Sequence, residues 1–397
     1  MLEITNTENK SNNMPSISVI GIGGGGTNSI DRMIDAGLEN INFIAMNTDY
    51  QVLETSKAHT RLQIGRKLTG GFGAGANPDV GKSSAEESSD EIKAALEGTN
   101  MAILTCGLGG GTGTGAIPVI ARICREQKIL TVAVVTLPFT FEGLPKQKLA
   151  EEGLENLKGN VDTLLVIPND KLLGMSDKPF FLEDAFTVAD NVLRYTIEGI
   201  TNIIFGRGMI NLDFNDLRTT LCDKGLGHLG IGRVSKDDSI MDAVRQAIES
   251  PLLDTDISTA GHILLNTSGH INIMELNEAI TYIREITSPE VDIMWGTVSN
   301  SDDPDEVVVT LIATGLIEKS SSAKVSAPGI TPAYQGKSAG SPSSGMAQSS
   351  VRTAPASRNP GRLSVPSFLS GSNTSGQPET VIPEFIKKYS PVPKKKT

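Results

Sequence analysis

The sequence predicts an α/β fold: a Rossmann-like parallel sheet, a long central helix, a smaller C-terminal α/β domain and a disordered tail. Three observations lead there. Short runs rich in Val and Ile alternate with helical stretches, the pattern of a parallel sheet covered on both faces. An apolar stripe of helical period runs from Leu182 to Ile204. From Lys319 onward the chain turns Ser-, Ala-, Pro- and Gly-rich, with too few large apolar side chains to offset the entropy of ordering.

In chain order, the polar residues 1–15 are expected to be disordered. Residues 16–180 carry the first domain, with strands in SISVIGIG, INFIAMNTD, MAILTCG, ILTVAVVTLPF and VDTLLVIPN. Residues 181–206 form the central helix; Ala185, Phe186, Ala189, Val192, Leu193, Ile197, Ile200 and Ile204 fall on its broad apolar face. Residues 207–319 form the second α/β unit, with strands in GHLGIGRVS, GHILLNTSG, VDIMWGTVS and DEVVVTLIATG and helices at Ser239–Ser250 and Met274–Thr287. The linker 320–380 would have a typical end-to-end distance of roughly 40–45 Å. Residues 381–397 bring Ile382, Phe385 and Ile386 back beside lysines, a segment expected to dock into a partner.

Composition narrows the function. The chain has 397 residues of ordinary apolar content, enough for about two or three domains with ample core. No stretch approaches the ~18 apolar residues of a membrane span, and the polar start lacks the apolar block of a secretory signal. A cytoplasmic protein without a transmembrane segment is the expectation. Cys106, Cys124 and Cys222 are scattered, and His59, His228, His262 and His270 show no metal-ligand spacing, so packing roles are expected and no protein-built metal site. From Ser320 onward ten cations face two acids, a net of +8; since the whole chain carries −11, residues 1–319 carry −19. An acidic body argues against a nucleic-acid-binding core.

The segment GLGGGTGTGA, Gly107–Ala116, holds six glycines in ten residues. Each weakens an ordered element by roughly 0.5–1 kcal/mol relative to alanine, so the backbone must be needed bare. A strand, a glycine loop and a helix N-terminus form a general anion site. Two are expected: loop Gly23–Asn28 after strand Ile17–Ile22, and loop Gly107–Gly115 after strand Met101–Cys106. Together they could hold several phosphates of one nucleotide. Gly21, Gly23 and Gly26 also satisfy GxGxxG, with Asp49 about twenty residues on, so a nicotinamide-dependent oxidoreductase is a rival. That fold needs no second glycine loop. A P-loop around Gly81–Ser83 fails because Ala76 stands where its first glycine belongs and no strand precedes it; Lys82 reads as a solvated lysine.

The loop GGGTGTG resembles the signature of the tubulin/FtsZ superfamily. Within it, nearly all of residues 16–318 looks like the FtsZ family of bacterial cell-division GTPases: GIGGGGTN, NTD at Asn47–Asp49, GAGANPDVG, FEG at Phe141–Gly143, IPNDKLL and NLDFNDLR. The tail VIPEFIKK resembles that family's C-terminal peptide.

The resemblance implies GTP as substrate, with Gly24, Gly25, Gly26, Thr27 and Asn28 in the first binding loop and Gly111, Thr112 and Gly113 cradling the β- and γ-phosphates. Mg2+ would be bound mainly through those phosphates. Asn28, Asn169 and Asp190 match positions near ribose and base, Phe186 one that packs on the base, and Glu142 one that contacts the ribose. On propensity alone, Phe186 would be core and Asp190 a surface helix residue. Lys146 stands where the family usually has Arg, a point charge in place of a planar fork.

Asp213 and Asp216 match the acids that position a water against the nucleotide of the next subunit, with Asn211 holding their loop. On propensity alone Asp213 would be a helix cap. Two ends that complete one site imply a head-to-tail homopolymer, a Z-ring at midcell, and membrane-anchored adaptors such as FtsA bound through residues 381–388. A non-hydrolysing scaffold is the remaining alternative.

Overall fold

The computed structural model describes residues 14–173, 181–205, 213–249, 257–269, 271–298 and 305–316. Most of the N-terminal segment, Asn211, the linker and the C-terminal peptide lie outside the described residues. The strands are β1 (Ile17–Ile22), β2 (Asn42–Asn47), β3 (Thr60–Gln63), β4 (Met101–Gly107), β5 (Leu130–Leu137), β6 (Thr163–Pro168), β7 (Gly225–Ser235), β8 (His262–Ser268), β9 (Asp292–Val298) and β10 (Glu306–Thr314). The helices are α1 (Gly23–Asp35), α2 (Tyr50–Thr55), α3 (Arg66–Thr69), α4 (Pro78–Glu87), α5 (Ser89–Ala95), α6 (Thr112–Glu126), α7 (Leu144–Lys158), α8 (Asn169–Leu173), α9 (Leu182–Phe205), α10 (Phe214–Leu221), α11 (Ile240–Ile248) and α12 (Ile273–Ile286).

The strand order is β3-β2-β1-β4-β5-β6-β7-β10-β8-β9. From β3 to β7 every pairing is parallel, and buried residues alternate between two faces. Ile17, Val19, Met101, Ile103, Val132 and Val134 join one core with α9. Ile20, Ile22, Leu104, Cys106 and Val135 join another with Ile117 and Ile120 of α6. This two-faced burial is why the strands read as continuous apolar runs.

β7 is the crossing strand: Gly225–Gly227 pair with β6, while His228–Ser235 pair antiparallel with β10. β10 pairs antiparallel with β8, which pairs parallel with β9, and α11 and α12 share the core of this second part. Leu229, Leu264 and Ile312 of its strands belong to the same cluster as Val188, Val192, Ile197 and Ile200, so α9 is buried against both parts of the sheet.

Three expectations need correction. The glycines Gly23–Asn28 are not a loop: they are the first turn and a half of α1. Likewise Thr112–Gly115 belong to α6, leaving only Leu108–Gly111 between β4 and the helix. Burial of each helix against the sheet outweighs the unfavourable helix propensity of glycine, ~1 kcal/mol per residue. Third, Phe186 does not lie on the buried face of α9, since it is 39% exposed.

Candidate functional site

The motifs that the sequence singles out leave the sheet along one edge. GGGGTN follows β1, NTD follows β2, GLGGG follows β4, the Phe139–Gly143 turn follows β5, and Asn169 follows β6. Because β2, β1, β4, β5 and β6 are adjacent and parallel, their C-terminal ends form one rim. Ligands of open parallel sheets bind at such a rim.

Three helices, α1, α6 and α7, begin there without side-chain caps, and α1 and α6 follow the two glycine segments. α2, α4, α10, α11 and α12 are capped by Asp49, Asn77, Asp213, Ser239 and Asn272. α1 starts after Ile22 and α6 after Gly111, and neither residue offers a capping side chain. Their first amides are therefore left for a ligand, with the dipoles of two long helices converging on it. The two starts touch: a Cβ on Gly23, whose φ is +70°, would lie 2.9 Å from the amide nitrogen of Gly113. A Cβ on Gly26 would lie 2.5 Å from the carbonyl of Thr105. Gly24 and Gly110 border open space, where a Cβ on either would meet no atom within 4 Å.

Side chains frame this rim. Thr27 Oγ1 donates to the Gly23 carbonyl at 2.8 Å, and Asn28 is exposed. Thr112 Oγ1 shares a 2.6 Å hydrogen bond with Thr48 Oγ1 of the NTD segment, tying β2 to the start of α6. Asp49, the candidate ribose acid of an oxidoreductase, instead accepts from Gln51 N as the cap of α2.

Next to the second glycine segment, the carbonyl of Lys146 would lie 2.7 Å from a Cβ on Gly109, whose φ is +95°. Lys146 Nζ reaches Glu142 Oε2 at 2.9 Å, and Glu142 Oε1 accepts from Phe139 N at 3.0 Å. The Phe139 ring stacks on Phe141 at 4.8 Å and meets Phe186 edge-on at 5.4 Å. Asn169 is buried, and its Oδ1 has no hydrogen-bond partner. An orphaned buried acceptor calls for a donor from outside the chain.

Asp190 is not a surface residue. Its carboxylate accepts from Ser29 Oγ at 2.6 Å and pairs with Arg32 at 2.8 Å. Burial lifts its pKa above the ordinary value, while the Ser29 hydrogen bond and then the Arg32 charge pull it back. Sequence reading missed Ser29, Arg32 and Thr48. Ser29 and Arg32 are an i, i+3 pair on α1, but nothing in the sequence joins them to a residue on α9.

Asp213 and Asp216 sit elsewhere. Asp213 Oδ1 caps α10, accepting from Asn215 N at 2.8 Å and Asp216 N at 2.9 Å. The far end of α10 is pinned at the start of β6, where Thr163 Oγ1 donates to the Leu221 carbonyl at 2.5 Å. That is the N-terminal edge of the sheet, opposite the glycine rim. Burial pushes the thiols of Cys106 and Cys124 up to about 12, in keeping with packing roles. Among the described residues, one cluster could gather three metal-ligand atoms, Asp162, Cys222 and Asp223, and it lies on that same far edge. Asp162 there already accepts from the amides of Thr131 and Asp223. No helix among the described residues is long and apolar enough to cross a membrane.

Residues 16–177 match the family described as Tubulin/FtsZ family, GTPase domain, and residues 225–317 match FtsZ family, C-terminal domain. An FtsZ dimer from M. jannaschii, solved empty, is similar over 76% of this chain and 88% of its own, at 42% identity and a TM-score of 0.73. CetZ2 from Haloferax volcanii, solved as a GTPγS-bound protofilament, covers 76% of this chain and 94% of its own at 18% identity and a TM-score of 0.65, a likeness of fold alone.

Proposed function

The chain belongs to the tubulin/FtsZ family, and from that premise we propose that it is a GTP-hydrolysing filament protein of cell division whose active site is completed by a second copy. The observation that carries this reading is the pair of uncapped helix starts, α1 and α6, meeting at the sheet rim. Bare amides and two helix dipoles suit a triphosphate. Gly24, Gly25 and Gly26, with Thr27 and Asn28, would hold one part of the phosphate chain, and Gly111, Thr112 and Gly113 the other. Mg2+ would be carried by the phosphates and supply charge neutralisation.

Glu142 would contact the ribose, with Lys146 steadying it. Phe186 would pack on the base. Asp190 would accept from N1 and N2 of guanine, donors that adenine does not offer in that arrangement; Asn169, with its unpaired Oδ1, supports the same end of the site.

Asp213 and Asp216 would act from the other end of the molecule, the side on which the far end of α10 meets the start of β6. A head-to-tail contact would bring them to the γ-phosphate of the neighbouring copy, where two carboxylates orient and polarise a water. Such a contact does not close on itself, so it makes filaments. Loss of the γ-phosphate would loosen the joint. The exposed Phe72, Phe141 and Leu144 on the rim side would be covered by the neighbour. We place the protein in the cytoplasmic Z-ring at midcell, tethered through residues 381–388 to membrane-anchored adaptors such as FtsA.

The test is complementation in trans. Asp213→Asn retains an oxygen for the α10 cap while removing the charge, so it should fold, bind GTP and lack turnover. Wild type kept too dilute to assemble by itself should gain phosphate release when Asp213→Asn is added, because its acids then cleave GTP bound to the variant. No gain in turnover on co-assembly would contradict a shared site.

A further inference from the structure

We infer that Asp170 is a positioning residue for the ribose end of the nucleotide site, acting through the turn that carries Glu142. It follows β6 and Asn169 in sequence, yet both its carboxylate oxygens are committed to one residue at the end of β5. Thr140 N donates to Asp170 Oδ1 at 2.8 Å, and Thr140 Oγ1 donates to Asp170 Oδ2. This clamp fixes the Phe139–Gly143 turn from outside, while Glu142 closes it from inside by accepting from Phe139 N.

The start of the turn is anchored by Phe139, which is fully buried, but beyond it the chain is exposed: Phe141, stacked on Phe139, is 55% exposed. Lys146, which grips Glu142 Oε2, is itself half exposed. A surface ion pair of that kind contributes little and does not hold a backbone in place. Two hydrogen bonds from one residue's amide and hydroxyl to a single carboxylate do, because they fix a distance and an orientation together. Asp170 therefore sets how the exposed part of the turn, from Thr140 to Glu142, leaves the buried Phe139 and where the Glu142 carboxylate stands. The proposal rests on the reading that this turn faces the ribose.

Binding of GTP and of its 2′-deoxy and 3′-deoxy analogues to the full chain tests it. Wild type should prefer GTP over at least one deoxy analogue. Asp170→Ala should shrink that preference by about tenfold, the lower end of the scale of one hydrogen bond to a charged group, while turnover at saturating GTP stays within about twofold because the phosphate contacts are untouched. Asp170→Asn, which keeps an oxygen for the Thr140 amide, should retain most of the preference, and Thr140→Val should fall between. Equal weakening of all three nucleotides by Asp170→Ala, with the ratio preserved, would mark a merely structural role and overturn the proposal. A wild type that binds all three equally would overturn the Glu142 assignment on which it stands, and the proposal with it.

Discussion

Arg32 and Asp190 meet at 2.8 Å across the contact between the first helix and the long central helix, while Ser29 donates to the other oxygen of the same carboxylate at 2.6 Å. The carboxylate is 16% exposed and the guanidinium 45%. A charge held this way is aimed, and it is costly to leave alone.

That cost depends on pH. Burial raises the Asp190 pKa above its ordinary 3.8, so the folded protein keeps this proton to higher pH than the unfolded chain does. Unfolding free energy from this group therefore falls as pH rises through the window above 3.8. Arg32→Ala removes one of the two influences that restrain the rise. Its destabilisation should be smallest at a pH below the ordinary 3.8, where the raised pKa leaves Asp190 mostly protonated, and grow to about 1 kcal/mol at about pH 7. Denaturant unfolding at the two pH values measures this, and equal destabilisation at both would contradict it.

Gly24 and Gly26 should separate binding from folding. A methyl on Gly26 would sit 2.5 Å from the Thr105 carbonyl, an overpacking that costs about 1–3 kcal/mol. A methyl on Gly24 meets nothing within 4 Å. Gly24→Ala should keep stability within about 1 kcal/mol of wild type and weaken GTP binding, whereas Gly26→Ala should lower the Tm. Isothermal titration alongside thermal unfolding distinguishes them.

Phe186 offers a half-exposed ring that meets Phe139 edge-on. Phe186→Ala should reduce GTP affinity by about tenfold, in the range of one base–aromatic stacking contact. Little core is lost, so the Tm should move by only a few degrees. A large fall in Tm with unchanged affinity would return Phe186 to a packing role.

Much of this was legible in the sequence, and the gaps have physical causes. The strands that are buried on both faces announced themselves as apolar runs, but β3 reads TRLQ, is at most half buried and gave no such signal. Glycine-rich helix starts looked like loops because propensity is local, while the burial that makes them helical is not. Ser239, where a helix was expected to start, is the cap of α11 because a cap is a local device, while α12 begins at Ile273 behind the cap Asn272, one residue before the expected Met274. Asp213 combines both levels: the cap that propensity favoured is present, and it occupies one carboxylate oxygen rather than two. The convergence of Ser29, Arg32 and Asp190 could not be read, since the last is 161 positions from the first.

The dependence of turnover on assembly is the central question. Phosphate release per molecule, measured at saturating GTP across protein concentrations, should be near zero in dilute solution, rise above a threshold and then plateau. The same rate per molecule in dilute, unassembled protein as in concentrated protein would show that each chain cleaves GTP alone, and the shared site would have to be given up.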